Sequence, residues 1–423
     1  MTLSDAFVAI LAADDPWPLV HELRRDDPVH FVTSGAFWFV TRYDDVVRLL
    51  HDPDRVTMDA RVWNEYVPAA SSLARWSEDH GLLTLAPEDH GRIRKSVAAT
   101  FTPRAVQRME LQIRNVVNRF ASRLLGRNES VIDLLPDFCR VIPMAVVARL
   151  AGIPEAEDER FARLVHSLVT GSLPFAPPDL RQEAEASFAE LFAWFREIVE
   201  TRHRNPGEDF VSTLLVPANG RPSLSEDDVL LVMISIIGAG GETTASAASA
   251  IIKAVFENPG PMQALRTDRS LIYRCVDELL RFSAGATSGP VRFATCDFGL
   301  RGKRIRKGQM VMLSRGGACR DPSVYSNPDV LDLRRELRFT PVFGHGPHAC
   351  IGASLARCEL ACMLDAVFDI APPGSKIRTD QLEYRSEGLF RRRLNLPVEI
   401  APNRVAAAHP SDRRELPSRS DIR

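Results

Sequence analysis

The sequence predicts a mainly α-helical protein with a small β-rich lobe, an α+β fold. Apolar residues recur about every 3.6 positions, the period of a helix, over residues 106–125, 183–203 and 351–368. Strand and turn signals are confined to residues 37–41, 291–313 and 389–400. No internal repeat is evident, so the helices are expected to pack around a shared core.

Composition excludes several classes of protein. The chain has 53 basic and 55 acidic residues and a net charge of −2, which does not suggest a nucleic-acid-binding or membrane-surface protein. Its 7 cysteines are unevenly spaced and odd in number, which favours free thiols in a reducing compartment. Residues 1–30 contain neither a bilayer-spanning apolar run nor a secretory pattern. We therefore expect a cytoplasmic protein without a membrane anchor.

Along the chain, the first candidate site residues lie between Pro87 and Arg94. In this segment His90 and Arg94 are four residues apart, on one face of a helix. Arg292 lies on a predicted strand further along the chain. Taken singly, charged side chains in such positions are usually just solvated.

A long apolar helix is predicted from Val229 to Phe256, opened by Ser225 to Asp228 in the form of a capping box. It would be about 40 Å long, enough to cross a domain. Three glycines in its middle each cost roughly 1 kcal/mol against alanine, so a local feature should offset them. A flat ligand and a small gas molecule close to the backbone would do so, and close helix packing is the alternative. Thr243 can donate its hydroxyl to the carbonyl of Ala239, a bond that bends helices.

The next helical segment, Leu271 to Phe282, has one apolar stripe. Glu278 and Arg281 fall on another face as a pair three residues apart. On a protein surface such a pair contributes only about 0.2–0.5 kcal/mol. By itself, the pair is therefore weak evidence of function.

The most informative segment is the glycine-rich loop from Phe343 to Gly352, which delivers Cys350 to the start of a predicted helix. The unpaired N–H groups and positive dipole end of a helix N-terminus favour a sulfur anion. One thiolate on a loop whose glycines lack a Cβ is what a haem iron needs on one face. A buried structural cysteine is one alternative. A zinc site made of His345, His348 and Cys350 is another, because those residue types suit zinc.

The run Phe-Gly-x-Gly-x-His-x-Cys-x-Gly resembles the haem-binding loop of the cytochrome P-450 superfamily, soluble bacterial type. Residues 238–244 are similar to the family's oxygen-activation motif, residues 278–281 to its Glu-x-x-Arg and residues 90–94 to its His-x-x-x-Arg. This resemblance implies the cytochrome P-450 fold, a triangular-prism-like single domain with a long central helix over the haem. We expect residues 1–401 to form that domain and residues 402–423, rich in charge, Pro and Ser, to be a disordered tail.

The resemblance also implies the cofactor haem b, iron protoporphyrin IX, with Cys350 as the metal ligand. Thr243 would be a catalytic alcohol that holds the distal oxygen and a water, and Glu242 a catalytic acid that relays protons. Buried propionates need cationic partners. The implied cofactor-binding positions besides Cys350 are His90, Arg94, Ala239, Arg292, Phe343, His348 and Gly352. Of these, the four His and Arg residues would serve the propionates. Glu278, Arg281 and Arg335 would form a buried structural trio.

The implied activity is that of a monooxygenase, which inserts one oxygen atom of O2 into a C–H bond of a hydrophobic small molecule. Bacterial secondary metabolism, or terpenoid or steroid metabolism, is the expected setting. Apolar residues stand at several of the family's pocket positions, among them Trp63, Leu168, Phe175, Ile237, Gly241 and Leu389.

Electrons would come from a ferredoxin-type donor with a flavin reductase. A basic docking patch for this donor could consist of Arg104, Arg108, Arg114 and Arg357. A haem-thiolate protein that senses or binds without oxygenating is the alternative from another functional class, against which Glu242 and Thr243 argue.

Overall fold

The computed structural model describes residues 6–67, 81, 82, 85, 87–171, 177–207, 209–216, 224–287, 289–337, 339–387 and 390–402. Most of the predicted tail, residues 403–423, lies outside the described residues, as do the candidate pocket residues Phe175 and Leu389. The prediction of a mainly helical fold with small sheets is confirmed.

Helices make up most of the described chain. They are α1 (Ala6–Ala12), α2 (Trp17–Asp26), α3 (Tyr43–Leu50), α4 (Pro87–Ala98), α5 (Pro103–Leu125), α6 (Val141–Leu150), α7 (Asp158–Gly171), α8 (Pro178–Arg204), α9 (Phe210–Leu215), α10 (Glu226–Glu257), α11 (Pro259–Thr267), α12 (Ser270–Ser283), α13 (Arg315–Cys319) and α14 (Ala353–Ile370). Every segment with predicted helical periodicity is a helix, with ends shifted by a few residues.

The strands form the small β-rich part. They are β1 (Val29–Val32), β2 (Phe37–Val40), β3 (Val56–Thr57), β4 (Val131–Asp133), β5 (Val291–Ala294), β6 (Phe298–Leu300), β7 (Lys303–Ile305), β8 (Met310–Leu313), β9 (Lys376–Ile377), β10 (Tyr384–Glu387), β11 (Phe390–Arg393) and β12 (Pro397–Glu399). The main sheet has the order β1-β2-β8-β5-β3, in which only β2 and β8 run parallel. This sheet places Arg292 of β5 opposite Val311 of β8.

Helix α10 is the central element of the helical core, in contact with α6, α8, α12 and α14. Its predicted capping box is present: Ser225 Oγ accepts from the Asp228 N–H at 3.1 Å, and the Ser225 N–H donates to Asp228 Oδ2 at 3.0 Å. Among the described residues, α10 alone is long and apolar enough to cross a membrane, but half of its apolar window is buried in the protein. Core helices of soluble proteins have the same character.

Two of the three α10 glycines are explained by packing rather than by a ligand. A Cβ on Gly241 would lie 2.1 Å from Met144 Sδ, and one on Gly240 would lie 2.9 Å from Val147, both on α6. A Cβ on Gly238 would meet nothing within 4 Å. The expectation that a flat ligand and a gas molecule explain the glycines is therefore wrong for Gly240 and Gly241, because those positions let two helices approach closely.

Helix α14 carries a buried carboxyl group that the packing does not satisfy. Glu359 is 2 % exposed, and its Oε2 has no hydrogen-bond partner among the described residues. Burial, with a smaller contribution from Cys362, raises the pKa of Glu359 well above its ordinary value of 4.5. The folded protein therefore keeps this side chain protonated at pH values where the unfolded chain has lost the proton.

Replacement of Glu359 by glutamine should remove a pH-dependent destabilisation. From pH 4.5 upward the unfolded chain binds fewer protons at this site than the folded protein, so wild-type stability falls as pH rises towards the folded-state pKa. Urea unfolding at pH 5 and pH 8 should show that Glu359→Gln gains stability over wild type at the higher pH. Glu129→Gln, at an exposed position, is the control. An equal effect of Glu359→Gln at both pH values would contradict the assignment.

Candidate active site

The loop that carries Cys350 is held against helix α3. The Cys350 N–H donates to Phe343 O at 2.8 Å, which closes the loop on itself. Gly346 has φ +74°, and a Cβ there would lie 2.9 Å from both His51 Cα and Leu50 O. Only glycine fits this backbone conformation at this distance. The glycine pattern thus sets the position from which the thiol projects.

Cys350 lies just before α14, whose N-cap is Gly352. The residue stays partly open to solvent, yet surrounding atoms desolvate its thiol and raise the pKa above the ordinary value. The Gly352 N–H, Arg315, Arg94 and Arg357 act in the opposite direction, without outweighing desolvation. The N–H at the helix start thus favours the anion, as expected, but in the protein without a metal ion its effect is smaller than that of desolvation. A bound metal ion would supply the missing stabilisation, because it deprotonates a coordinating thiol.

Four residues of the predicted cofactor site converge beside this loop. The rings of His90 on α4 and His348 lie 4.5 Å apart. Arg94 donates a hydrogen bond to the carbonyl of Ala349. Burial and the positive charges of Arg292 and Arg94, together with His90, lower the pKa of His348 to about 4. Burial also lowers the pKa of Arg292 to about 10, with Arg315 as a second cause.

This cluster suits a dianionic group. Within the described part of the chain, His90 Nε2 and His348 Nδ1 are buried without hydrogen-bond partners, and the guanidinium of Arg292 donates only to the neighbouring Val291 carbonyl, at 3.1 Å. No carboxylate of the described residues is paired with Arg94 or Arg292. Buried cations and unsatisfied donors are costly unless an anion partners them. The two propionates of haem b would do so, next to a thiol that can bind iron, and the residues present therefore fit that cofactor.

The zinc alternative is wrong for this arrangement. Among the described residues, no group of three or more His, Cys, Asp or Glu side chains could hold a metal ion. The ring of His345 instead lies 4.9 Å from that of His51 and 5.0 Å from that of Phe339. His345 and His348 therefore face different neighbours and do not share a centre with Cys350.

One face of α10 remains accessible in the middle of the protein. Gly238, Ala239, Thr243 and Ser246 are all exposed on this helix. Thr243 Oγ1 donates to Ala239 O at 2.6 Å, which is the predicted back-bond. Because the hydroxyl proton is engaged, the oxygen is free to accept a hydrogen bond from the open side. Next to it, Glu242 Oε1 forms an ion pair with Arg392 of β11 at 2.8 Å.

The predicted structural trio is assembled and buried. Arg281, 0 % exposed, binds Glu278 through two hydrogen bonds of 2.6 and 2.8 Å. Arg335 adds a third, at 3.1 Å, from the segment that precedes the Cys350 loop. Arg281 also donates to the carbonyls of Cys319 and Pro328, each at 2.8 Å. This network ties α12 to the chain that leads into the loop.

Two arginines near these groups were missed from the sequence. Arg392 pairs with Glu242, and Arg315 stands close enough to Cys350 and Arg292 to influence both pKa values. A cation two residues after the end of the apolar strand β8, followed by two glycines, was the available signal for Arg315. No local pattern marked Arg392, which is one of three consecutive arginines.

Comparisons with known proteins agree with this geometry. The family model described as Cytochrome P450 matches residues 33–369. The chain is 31% identical to Epothilone C/D epoxidase of Sorangium cellulosum, over 93% of this chain and 94% of that protein. It is 30% identical to Vitamin D(3) 25-hydroxylase of Pseudonocardia autotrophica, over 92% of this chain and 94% of that protein. The crystal structure of epothilone D-bound cytochrome P450epoK superposes with a TM-score of 0.82 at 29% identity, covering 93% of this chain and 99% of that one.

Removal of the carboxylate from the buried trio should destabilise the fold strongly. Glu278→Gln leaves two arginines without their counter-charge, and breaking a buried ion pair in this way costs about 3–5 kcal/mol. Denaturant unfolding should show a loss of that size, whereas Asp26→Asn, which breaks an exposed pair with Arg25, should change little. A Glu278→Gln variant as stable as wild type would contradict a structural role for the trio.

Proposed function

This chain belongs to the cytochrome P450 family, and from that premise we propose that it oxidises a large hydrophobic metabolite at a site built on Cys350, Thr243 and Glu242. As a member of the family it is a monooxygenase that binds haem b through a cysteine thiolate. The observation that carries the proposed site is the convergence, on the loop of Cys350, of two arginines without a described carboxylate partner and two histidines that each have a buried nitrogen without a described hydrogen-bond partner. An anionic cofactor is the partner these groups require.

In this proposal Cys350 is the iron ligand and the Gly352 N–H donates to its sulfur. His90, Arg94, Arg292 and His348 would bind the propionates, and Phe343 would also contact the cofactor. When bound, haem b supplies an iron centre at which a thiolate ligand favours cleavage of the O–O bond. The protein's own task is to hold that group, exclude water and deliver protons.

Proton delivery is assigned to the open face of α10. Thr243 keeps its own proton in the bond to Ala239 and presents its oxygen as an acceptor that can hold a water in place. Glu242, which forms an ion pair with Arg392 through Oε1, is the carboxyl group that takes a proton from solvent and passes it on. The small residues that are exposed before and after Thr243 on α10 leave room for a diatomic molecule next to the helix backbone.

The substrate is proposed to be an apolar small molecule of bacterial secondary metabolism, with terpenoid or steroid-like compounds included. The names of the relatives support this, since they refer to epothilone and vitamin D(3). Among the candidate pocket positions, Ile237 and Leu168 are 2% and 7% exposed in the helical core, and Gly241 is covered by Met144. These positions are therefore core, which leaves the loop around Trp63 and the open face of α10 as pocket surfaces.

The electron donor is proposed to be a ferredoxin served by a flavin reductase, and the location cytoplasmic. Within the predicted basic patch, Arg114 is paired with Glu110 at 2.8 Å and Arg357 with Asp277 at 2.6 Å. Arg104 and Arg108 are exposed on α5, beside exposed Leu111. The proposed docking surface is accordingly reduced to this part of α5, where two positive charges and an apolar side chain lie on the same helix face.

Thr243→Ala should uncouple reductant use from product formation. Without the Thr243 hydroxyl, the water that passes protons loses the acceptor that holds it, so the product formed per electron falls several-fold and hydrogen peroxide is released. The measurement is product and peroxide per electron consumed, with a surrogate redox pair. Ser246→Ala, one turn further along the same face, is the control. Unchanged product yield per electron in Thr243→Ala would refute the role of this residue.

The substrate class is tested by spin-state titration followed by turnover. A panel that includes epothilones, vitamin D3 and terpenoids should contain ligands that displace iron-bound water and change the absorption spectrum. With a ferredoxin and reductase, at least one such ligand should gain one oxygen atom from O2, measured by mass spectrometry with ¹⁸O2. Ligands that bind without ever being oxygenated would favour a sensor or binding protein.

A further inference from the structure

Arg315 is held in place by the turn that begins α13. Ser314 Oγ accepts from the Gly317 N–H at 2.9 Å and donates to Ala286 O at 2.7 Å. A Cβ on Gly316 would lie 1.9 Å from Gly285 O, so the backbone following Arg315 is closely packed. The backbone at Arg315, the first residue of α13, therefore has little freedom to move.

The side chain of Arg315 reaches the loop that leads to Cys350. Its Nη1 donates to Val342 O at 2.9 Å, next to the residue whose carbonyl accepts from the Cys350 N–H. Its Nε is buried and has no hydrogen-bond partner among the described residues. Among the described residues, one hydrogen bond thus ties the guanidinium to the loop while its buried Nε is left without a partner.

Arg315 differs from the other arginines near Cys350, because Arg357 has a counter-charge in the protein and Arg94 and Arg292 are assigned to the propionates. Arg357 is neutralised by Asp277 at 2.6 Å and stacks over the ring of Phe343 at 4.5 Å. Arg94 is placed with the propionate-binding group. No described carboxylate is within ion-pair distance of Arg315, and among the arginines that act on the Cys350 thiol it has the largest effect. A charge without a partner in partly desolvated surroundings acts strongly on its neighbours.

We propose that Arg315 is a positioning residue that fixes the Cys350 loop and places an uncompensated positive charge beside the sulfur, which raises the reduction potential of the haem iron. The inference rests on the proposed role of Cys350 as the iron ligand. Reduction adds one electron from the external donor to the iron and no proton at this residue. A fixed positive charge favours the reduced form, and it also weakens electron donation by the thiolate.

The test is the midpoint potential of the purified haem-loaded protein and its Arg315 variants. Arg315→Gln should shift the Fe(III)/Fe(II) equilibrium towards Fe(III) roughly tenfold, about 59 mV for one electron. Arg315→Lys, which keeps the charge, should recover most of that shift. Arg357→Gln, at a cation already paired with Asp277, should give a much smaller change. If Arg315→Gln does not retain haem, Arg315→Met removes the charge with a side chain of similar length.

Two outcomes would overturn the inference. An unchanged potential in the neutral variants would show that the charge has no effect on the iron. Equal shifts in Arg315→Lys and Arg315→Gln would show that only the loop geometry matters. The absorption spectrum of the reduced carbon monoxide complex distinguishes a failure of this inference from a failure of the proposed function. If the wild-type protein lacks a thiolate-type band, Cys350 is not the iron ligand and the proposed function fails. If the wild-type protein has a thiolate-type band but the midpoint potential of Arg315→Gln is unchanged, only the role proposed for Arg315 is wrong.

Discussion

The site depends on positive charge that the protein itself leaves unbalanced. Arg94 and Arg292 converge on the Cys350 loop without a described carboxylate among their partners, and His90 and His348 each have a buried nitrogen with no hydrogen-bond partner among the described residues. In the Glu278 trio, by contrast, the buried carboxylate is bound directly by two arginines. An arrangement that is costly in isolation becomes favourable when a dianionic cofactor provides the missing charge, which couples folding of this region to haem binding.

The two faces of helix α10 have different roles: one packs against α6, and the other remains accessible. Gly240 and Gly241 allow close contact with α6, so the helix is held firmly on that side. On the other side Ala239 and Thr243 remain accessible, and the back-bond between them orients the hydroxyl. Rigid support behind an open, polar face is what positioning of a small ligand and a water requires.

The spacing of residues along the sequence was sufficient to predict the features that form between neighbouring residues. The Cys350 loop, the His90 and Arg94 pair and the capping box at Ser225 each arise within a few residues of sequence. Arg315 and Arg392 could not be placed, because each meets its partner only when segments far apart in the chain fold together. Periodicity also could not show which α10 glycines face a neighbouring helix, and the dipole argument for the Cys350 thiol had the right sign but was outweighed by desolvation.

The central claim is that the sulfur of Cys350 binds the haem iron. The most direct test is the absorption spectrum of the reduced, carbon monoxide-bound protein, compared between wild type and Cys350→Ser after haem supplementation. Wild type should show the thiolate-type band and Cys350→Ser should lack it, even where haem is still retained by the surrounding cations. A thiolate-type band that persists in Cys350→Ser, or a wild-type protein that takes up no haem, would contradict the claim.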